Sequence, residues 1–167
     1  MCIRDRGDLD NRNGLLKAKG PLTLNHLRDL NNQGGELSSS QSFNLTARTL
    51  DNSGGKLISS NQLGVAGDSL VNQGGLISGW QGLAVNGASL DNRNSGTLSS
   101  RSGNLDVNVS GALLNSNAGA LVSQQALTVN AASLDNSAGI LSSGAAQRLT
   151  VSGLLNNAQG GSIDSAP

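Results

Sequence analysis

Aromatic side chains are almost absent from this chain of 167 residues, which has one Trp, one Phe and no Tyr. Globular cores usually take much of their buried area from aromatic rings, so a core here has to be assembled from Leu, Val, Ile and Ala. The single cysteine, Cys2, excludes an intrachain disulfide. There is no run of 18 apolar residues, so we expect no membrane insertion.

Charge is equally scarce, and it is balanced. Eleven basic residues offset eleven acidic ones, so the formal net charge is zero. Nucleic-acid-binding domains usually have a clustered basic surface, and we therefore expect no nucleic-acid partner. High polarity with few charges could indicate disorder, but the order of the residues argues for a fold.

A Leu-x-Asn motif recurs eight times with a nearly constant period, the successive spacings being 21, 20, 20, 20, 23, 21 and 20. Regular self-similarity of this kind is the signature of a solenoid. The eight copies are Leu9/Asn11, Leu30/Asn32, Leu50/Asn52, Leu70/Asn72, Leu90/Asn92, Leu113/Asn115, Leu134/Asn136 and Leu154/Asn156.

Two further segments follow each motif. The first, Gly-x-Leu or Gly-x-Ile, begins at Gly14, Gly35, Gly55, Gly75, Gly96, Gly119, Gly139 and Gly161. The second is an apolar pair, with one residue between its members, that begins at Leu22, Phe43, Leu63, Leu83, Leu105, Leu127 and Leu149. Period-two blocks joined by connectors of variable length predict strands and turns. The sequence therefore predicts an all-β parallel β-helix of about eight coils, with three short strands in each coil.

Alternation along a strand places the Asn of each Leu-x-Asn on the same inward side as its Leu. Two interpretations of these Asn stay open. They could form a ladder in which each side-chain amide bonds to the next coil, or each could serve only its local turn. The same alternation places a column of small residues at another inner corner: Ala18, Ser39, Ser59, Gly79, Ser100, Ser123, Ser143 and Ser165.

Residues 1–8 match none of these columns. We interpret them as an out-of-register amino-terminal segment, a scar or a misassigned start, and residues 9–167 as a repeat shaft that is a fragment of a larger protein. Stacked coils leave unpaired strand edges at both ends. We therefore expect flanking coils of the same parent chain as partners, and end-to-end association of the isolated segment.

The string Leu-Asp-Asn-x-x-Gly-x-Leu-x-Ser, clearest at residues 50–59 and 134–143, resembles the filamentous haemagglutinin repeats of two-partner-secretion exoproteins. The resemblance covers residues 9–165. It implies a right-handed parallel β-helix, export through an outer-membrane transporter barrel, and display at the surface of a Gram-negative bacterium. Adhesins, haemagglutinins and contact-dependent growth inhibition proteins share such shafts.

The outward Asp between Leu and Asn recurs at Asp10, Asp51, Asp91 and Asp135. A carboxylate stripe could hold calcium, but Asp51 and Asp91 would lie two coils apart, roughly 9–10 Å, too far to share an ion bound at about 2.3–2.6 Å. We interpret the stripe as a solvated face and expect no metal and no cofactor.

A few other side chains are candidates for a site. His26, the only His, has no second ligand nearby in the sequence and is interpreted as a surface residue. Arg28 and Arg48 occupy equivalent positions, but Asp68 takes the next copy, which predicts a mixed polar surface. Trp80 stands at or near a turn, where it is a candidate glycan contact or an ordinary exposed aromatic.

These patterns favour a structural and adhesive shaft: a rigid spacer that contacts host or neighbouring cells weakly along its length, and not an enzyme. The alternative is a carbohydrate-active β-helix enzyme of the polysaccharide lyase kind. It would need acidic, basic and aromatic residues converging on adjacent coils. An ice-binding solenoid would need arrays of Thr-x-Thr, and Thr is scarce.

Overall fold

The chain winds into a parallel β-solenoid of about eight coils, and this confirms the fold class predicted from the repeat. The computed structural model describes residues 1–4 and 7–167. Over that part of the chain there is no helix, and hence none long and apolar enough to span a membrane.

The strands form two parallel sheets that face each other across the core. The twelve-stranded sheet contains β1 (Cys2–Arg4), β2 (Leu9–Asp10), β4 (Leu22–Asn31), β6 (Phe43–Asp51), β8 (Gln62–Val71), β10 (Gly82–Asp91), β12 (Leu105–Val109), β13 (Ala112–Leu114), β15 (Leu127–Ala131), β16 (Ser133–Asp135), β18 (Gln147–Val151) and β19 (Leu155–Asn156). The eight-stranded sheet contains β3 (Leu15–Ala18), β5 (Glu36–Ser39), β7 (Lys56–Ser59), β9 (Leu76–Gly79), β11 (Thr97–Ser100), β14 (Ala120–Ser123), β17 (Ile140–Ser143) and β20 (Ser162–Ser165).

Equivalent residues of successive repeats lie directly over one another. The anchor leucines pair in the order Leu9, Leu30, Leu50, Leu70, Leu90, Leu113, Leu134 and Leu155. Leu30 through Leu134 in this column are almost completely buried. Phe43, the only Phe, is likewise buried and stacks between Leu22 and Leu63. One coil cannot bury its apolar residues alone, so stacking supplies the core.

The three residues inserted between Leu90 and Leu113 leave this stacking intact. Leu83 still pairs with Leu105, and Leu98 still pairs with Ile77 and Leu121. The extra residues fall in connectors, where a solenoid accommodates them without disturbing the ladders.

The division into strands differs from the expectation of three short strands per coil. In β4, β6, β8 and β10 the apolar pair and the following Leu-x-Asn anchor lie on one continuous strand of 9 or 10 residues. The last three coils contain two separate strands there. The pairing of the long strands is briefly interrupted at the bend: β4 and β6 shift register between Leu24 and Leu27, and β6 and β8 form no pair between Thr46/Ala66 and Thr49/Ser69. Small or aliphatic residues occupy the inside of the bend in the long and the divided strands alike: Leu27, Ala47, Gly67, Gly87, Val109 and Ala131. This fifth inward column was missed, although it continues the apolar pair by one more period-two step in the five copies that begin at Phe43, Leu63, Leu83, Leu105 and Leu127. In the last coil the prediction of Leu149/Val151 as the apolar pair was wrong by one such step. Gln147 pairs with Leu127, Leu149 pairs with Val129, and Val151 pairs with Ala131 in the fifth column.

The amino-terminal segment is also closer to the repeat than the sequence indicated. Cys2–Arg4 pair in parallel with Thr23–Asn25, which places Ile3 beside Leu24 in an apolar column. The segment lacks the Leu-x-Asn and Gly motifs, and for that reason its register could not be read from the pattern. Asp5 and Arg6, which belong to the same predicted segment, lie outside the described residues. The interpretation of residues 1–8 as a scar or misassigned start stays a prediction.

Candidate functional site

The buried asparagines form a continuous line of side-chain hydrogen bonds along the solenoid axis. The Nδ2 of each donates to the Oδ1 of the Asn on the following coil, at 2.7–2.8 Å, from Asn11 to Asn136. Asn32, Asn52, Asn72, Asn92, Asn115 and Asn136 are completely buried. We call this set, with Asn11 and Asn157 at its ends, the asparagine column.

The last member of the column is Asn157, so the prediction of Asn156 for that place was wrong by a single position. Asn136 donates to the Oδ1 of Asn157, while Asn156 pairs with outward-facing Asp135 and Leu155 pairs with Leu134. The sequence Leu154-Leu155-Asn156-Asn157 contains two overlapping Leu-x-Asn copies. The connector to the next Gly-x-Ile discriminates between them, because Asn is followed by that Gly after three or four positions in every other coil.

Each side-chain amide of the column bonds both to the next coil and to its own turn, so the ladder and the local turn contact predicted as alternatives occur together. The Nδ2 of Asn72 lies 2.8 Å from Asn92 Oδ1, 3.1 Å from the Thr97 carbonyl and 3.2 Å from the Gly75 carbonyl. An amide has two protons, so three acceptors share them. The column therefore joins the turn of one coil to the strand of the next. Its contribution to stability stays a prediction.

The glycine that recurs after each of these Asn is required by close approach, not by backbone conformation. A Cβ on Gly55 would lie 2.1 Å from the Asn32 carbonyl oxygen and 2.7 Å from Asn52 Oδ1. Only the first glycine of a Gly-Gly pair has a positive φ, 63° at Gly54. Gly54 has no atom within 4 Å of an added Cβ, and non-glycine residues such as Ala138 adopt the same left-handed conformation at its position.

The column of small residues lies at the opposite inner corner, as the alternation predicts. The buried hydroxyl of Ser59 donates to the Gln41 carbonyl at 2.6 Å and accepts from the Asn61 amide at 3.0 Å. A hydroxyl at this corner thus accepts from the turn that follows its own strand, β7, and donates to the turn that follows β5 on the preceding coil. Ser165, in the last coil, is exposed.

The outward Asp residues bind to their own turns. Asp51 accepts hydrogen bonds from the Ser53 amide, the Ser53 hydroxyl and, across the coils, Gln33 Nε2. Partial burial acts to raise the pKa of Asp51, and these hydrogen bonds outweigh it, so that the pKa lies below its usual value of 3.8. At the exposed Asp10, the Arg12 side chain lowers the carboxyl pKa from 3.8 to about 2. These contacts use the carboxylates as turn caps.

No group of three or more His, Cys, Asp or Glu that could hold a metal ion occurs in the described part of the chain. His26 is exposed and has a φ of 59°, at a bulge where its amide donates to Thr46 Oγ1 at 2.8 Å. Arg28 forms an ion pair with Asp8, and Arg48 lies with Asp68 in the same open groove at the bend of the large sheet. The lining of this groove is of mixed charge.

Trp80 lies in the turn after β9 and is half exposed, with 50 % of its surface accessible. The guanidinium carbon of Arg101, from the next coil, stands 5.4 Å from the centre of its ring. The sequence indicated Trp80 as a candidate contact, but it did not indicate Arg101, because the two are a whole repeat apart in the chain and become neighbours only through stacking.

Comparison with known proteins agrees with the repeat and the fold. The family model described as haemagglutinin repeat matches two stretches of the chain, residues 5–103 and 101–166. Neither the search of curated proteins nor the search of solved structures returned a match. Because the two matches together span nearly the whole chain, the protein belongs to the haemagglutinin repeat family.

Proposed function

We propose that this chain is a shaft segment of a secreted, cell-surface adhesin, and that it acts as a rigid spacer with weak contact surfaces along its length. The haemagglutinin repeat family and the parallel solenoid fit a structural role of this kind. Display at the surface of a Gram-negative bacterium, and export through an outer-membrane transporter barrel, belong to the same proposal and rest on the family.

The observation that carries the proposal is the continuous stacking of the coils, which the single bulge at His26 does not interrupt. Both sheets run the length of the molecule, and each coil is bonded to the next by strand ladders on two sides. The asparagine column adds a third, buried line of bonds. Bending such a rod would break bonds in all three lines together, so we expect rigidity over its full length of roughly 35–40 Å, at about 4.8 Å per coil.

A spacer is expected to lengthen in fixed steps when coils are added. Residues 30–89 contain three consecutive copies of equal length, so a tandem duplication of this range adds three coils without changing the register. Small-angle scattering should give a particle longer by about 14 Å, with the same cross-sectional radius. A thicker particle, or one of unchanged length, would argue that added coils do not extend the rod.

The spacer role is tested separately from the length of the rod. The duplicated and original chains, linked to the same surface, should hold an attached reporter domain at distances that differ by that same step. Loss of the step with retained scattering dimensions would show that the rod bends under load, and would remove the spacer role.

A further inference from the structure

We infer that the cleft beside Trp80 and Arg101 binds a sugar ring that carries a carboxylate, such as a uronic acid residue of a glycan. This inference rests on the proposed surface function and names the chemistry of one contact point. Its basis is the exposed ring, the cation above it and the absence of any acidic residue among the lining residues of the cleft.

The Trp80 ring is presented by a fixed backbone. Its amide donates to the Ser59 carbonyl at 3.0 Å, and its carbonyl accepts from the amide and the hydroxyl of Ser102 at 2.7 and 3.0 Å. Both backbone groups of Trp80 are therefore tied to the neighbouring coils. An aromatic side chain on a rigid support loses little entropy when a flat apolar ring face packs on it.

Arg101 provides the charge. Three ion pairs occur among the described residues, and Arg101 takes part in none of them. Its contact with the Trp80 ring holds the guanidinium at the cleft, while its planar N–H groups match a carboxylate in a bidentate geometry. Because the other lining residues are uncharged, the cleft favours an anion.

The remaining lining of the cleft is amphipathic, as a pyranose is. Leu76 and Val122, both half-buried, supply aliphatic surface, and Thr97, Ser99 and Gln124 supply hydroxyl and amide groups. A binding site with a mostly apolar wall and a few polar groups is typical for small ligands. Only this pair of coils combines these features, since Trp80 is the only Trp of the sequence and Arg101 takes the equivalent position on the next coil.

Because Trp80 is the only Trp, its fluorescence reports on this cleft alone. The full chain is titrated with glucuronate, with glucose, which has the ring without the charge, and with acetate, which has the charge without the ring. We expect a saturable change with glucuronate in the millimolar range. Binding of glucose and of acetate should each be at least about tenfold weaker, since each lacks one of the two contacts.

The variant Arg101→Gln keeps the reporter and should weaken glucuronate binding about tenfold, to the level of glucose. The matched control, Arg48→Gln, removes an exposed Arg from the opposite sheet and should leave binding unchanged. An equal response to acetate would mean anion binding without sugar recognition. An equal response to glucose, unaffected by Arg101→Gln, would mean a neutral sugar site. No saturable response would mean that Trp80 and Arg101 only stabilise each other. Each of these three results overturns the inference but leaves the length of the rod, and hence the spacer proposal, untouched.

Discussion

Asn72 lies in the middle of the asparagine column, and its replacement by Leu tests whether the column holds the coils together. Leu has nearly the same size and would fill the same buried space. The substitution removes the bond that Asn72 accepts from Asn52 at 2.8 Å, the bond it donates to Asn92 at 2.8 Å and the bond to the Thr97 carbonyl at 3.1 Å. The expected loss therefore reflects polar contacts and not a cavity.

The magnitude follows from counting those groups. Each net hydrogen bond contributes about 1 kcal/mol, and a buried donor left without a partner costs about 1–3 kcal/mol more. Asn52 keeps other acceptors for its amide at 3.2–3.3 Å, which places the stranded-donor cost at the lower end of that range. The free energy of unfolding should fall by about 3–5 kcal/mol, which for a chain of this size lowers the melting temperature by roughly 10 °C.

Urea unfolding followed by circular dichroism measures the change, and Asn156→Leu is the matched control. Asn156 also ends a Leu-x-Asn string but lies outside the column. Its side chain accepts only the exposed Ala158 amide, at 3.1 Å, so its replacement should lower stability by no more than about 1 kcal/mol. A double-mutant cycle between Asn52 and Asn72 should give a coupling of about 1 kcal/mol, whereas Asn52 and Asn115, which are not in contact, should give none. Equal effects of the two Leu variants, or zero coupling in the first cycle, would refute a role for the bonds between coils.

Three further outcomes are expected, each with its own measurement. Gly75→Ala should lower the unfolding free energy by about 3 kcal/mol or more, because its Cβ would lie 2.2 Å from a carbonyl oxygen. Gly54→Ala is strained only by its positive φ and should lower it by about 1–2 kcal/mol. Equal losses in urea unfolding would contradict the argument that close approach requires the glycine at position 75. The pKa of Asp51 is lowered in the folded chain, so this carboxylate stabilises the fold above its usual pKa of 3.8, and the stabilisation is lost as the pH falls through the folded pKa. The drop in melting temperature between pH 7 and pH 3 should therefore be smaller in Asp51→Asn than in the parent chain. An unchanged drop would contradict a contribution of the Asp51 carboxylate to stability. Ile163 fills an interior column in the last coil but is only partly buried. Ile163→Lys should therefore weaken end-to-end association of the chain, as measured by sedimentation. A parent chain that is strictly monomeric would show that the end coils do not associate.

Much of the fold could be predicted from the sequence because a solenoid repeats one local rule. Leu50 and Leu70 are one repeat apart in the chain and one strand spacing apart in space, so the period along the sequence is also the period of the structure. The constant period-two step within each block determined which side chains face inward. It predicted burial of Leu30, Asn52 and Ser59 without any knowledge of their neighbours.

Features that depend on the contact between coils were decided only by the tertiary structure. The Leu-x-Asn motif alone did not distinguish Asn156 from Asn157; the connector length to Gly161 favours Asn157, and the hydrogen bond that Asn136 donates to Asn157 shows that it is the member of the column. A side chain at position 55 is excluded by the Asn32 carbonyl oxygen of the preceding coil. This contact could not be predicted from the residues of the repeat that contains Gly55.

On the outer surface, too, the sequence identified single residues and the stacking of the coils determined their neighbours. Trp80 could be singled out as an isolated aromatic, but its pairing with Arg101 needed the stack that brings two positions a full repeat apart to within 5.4 Å. The sequence by itself determined the period, all but one of the inward columns and the family. The structure decided which side chains meet across coils, because those contacts join residues about 20 positions apart in the chain and depend on how the strands of neighbouring coils pair.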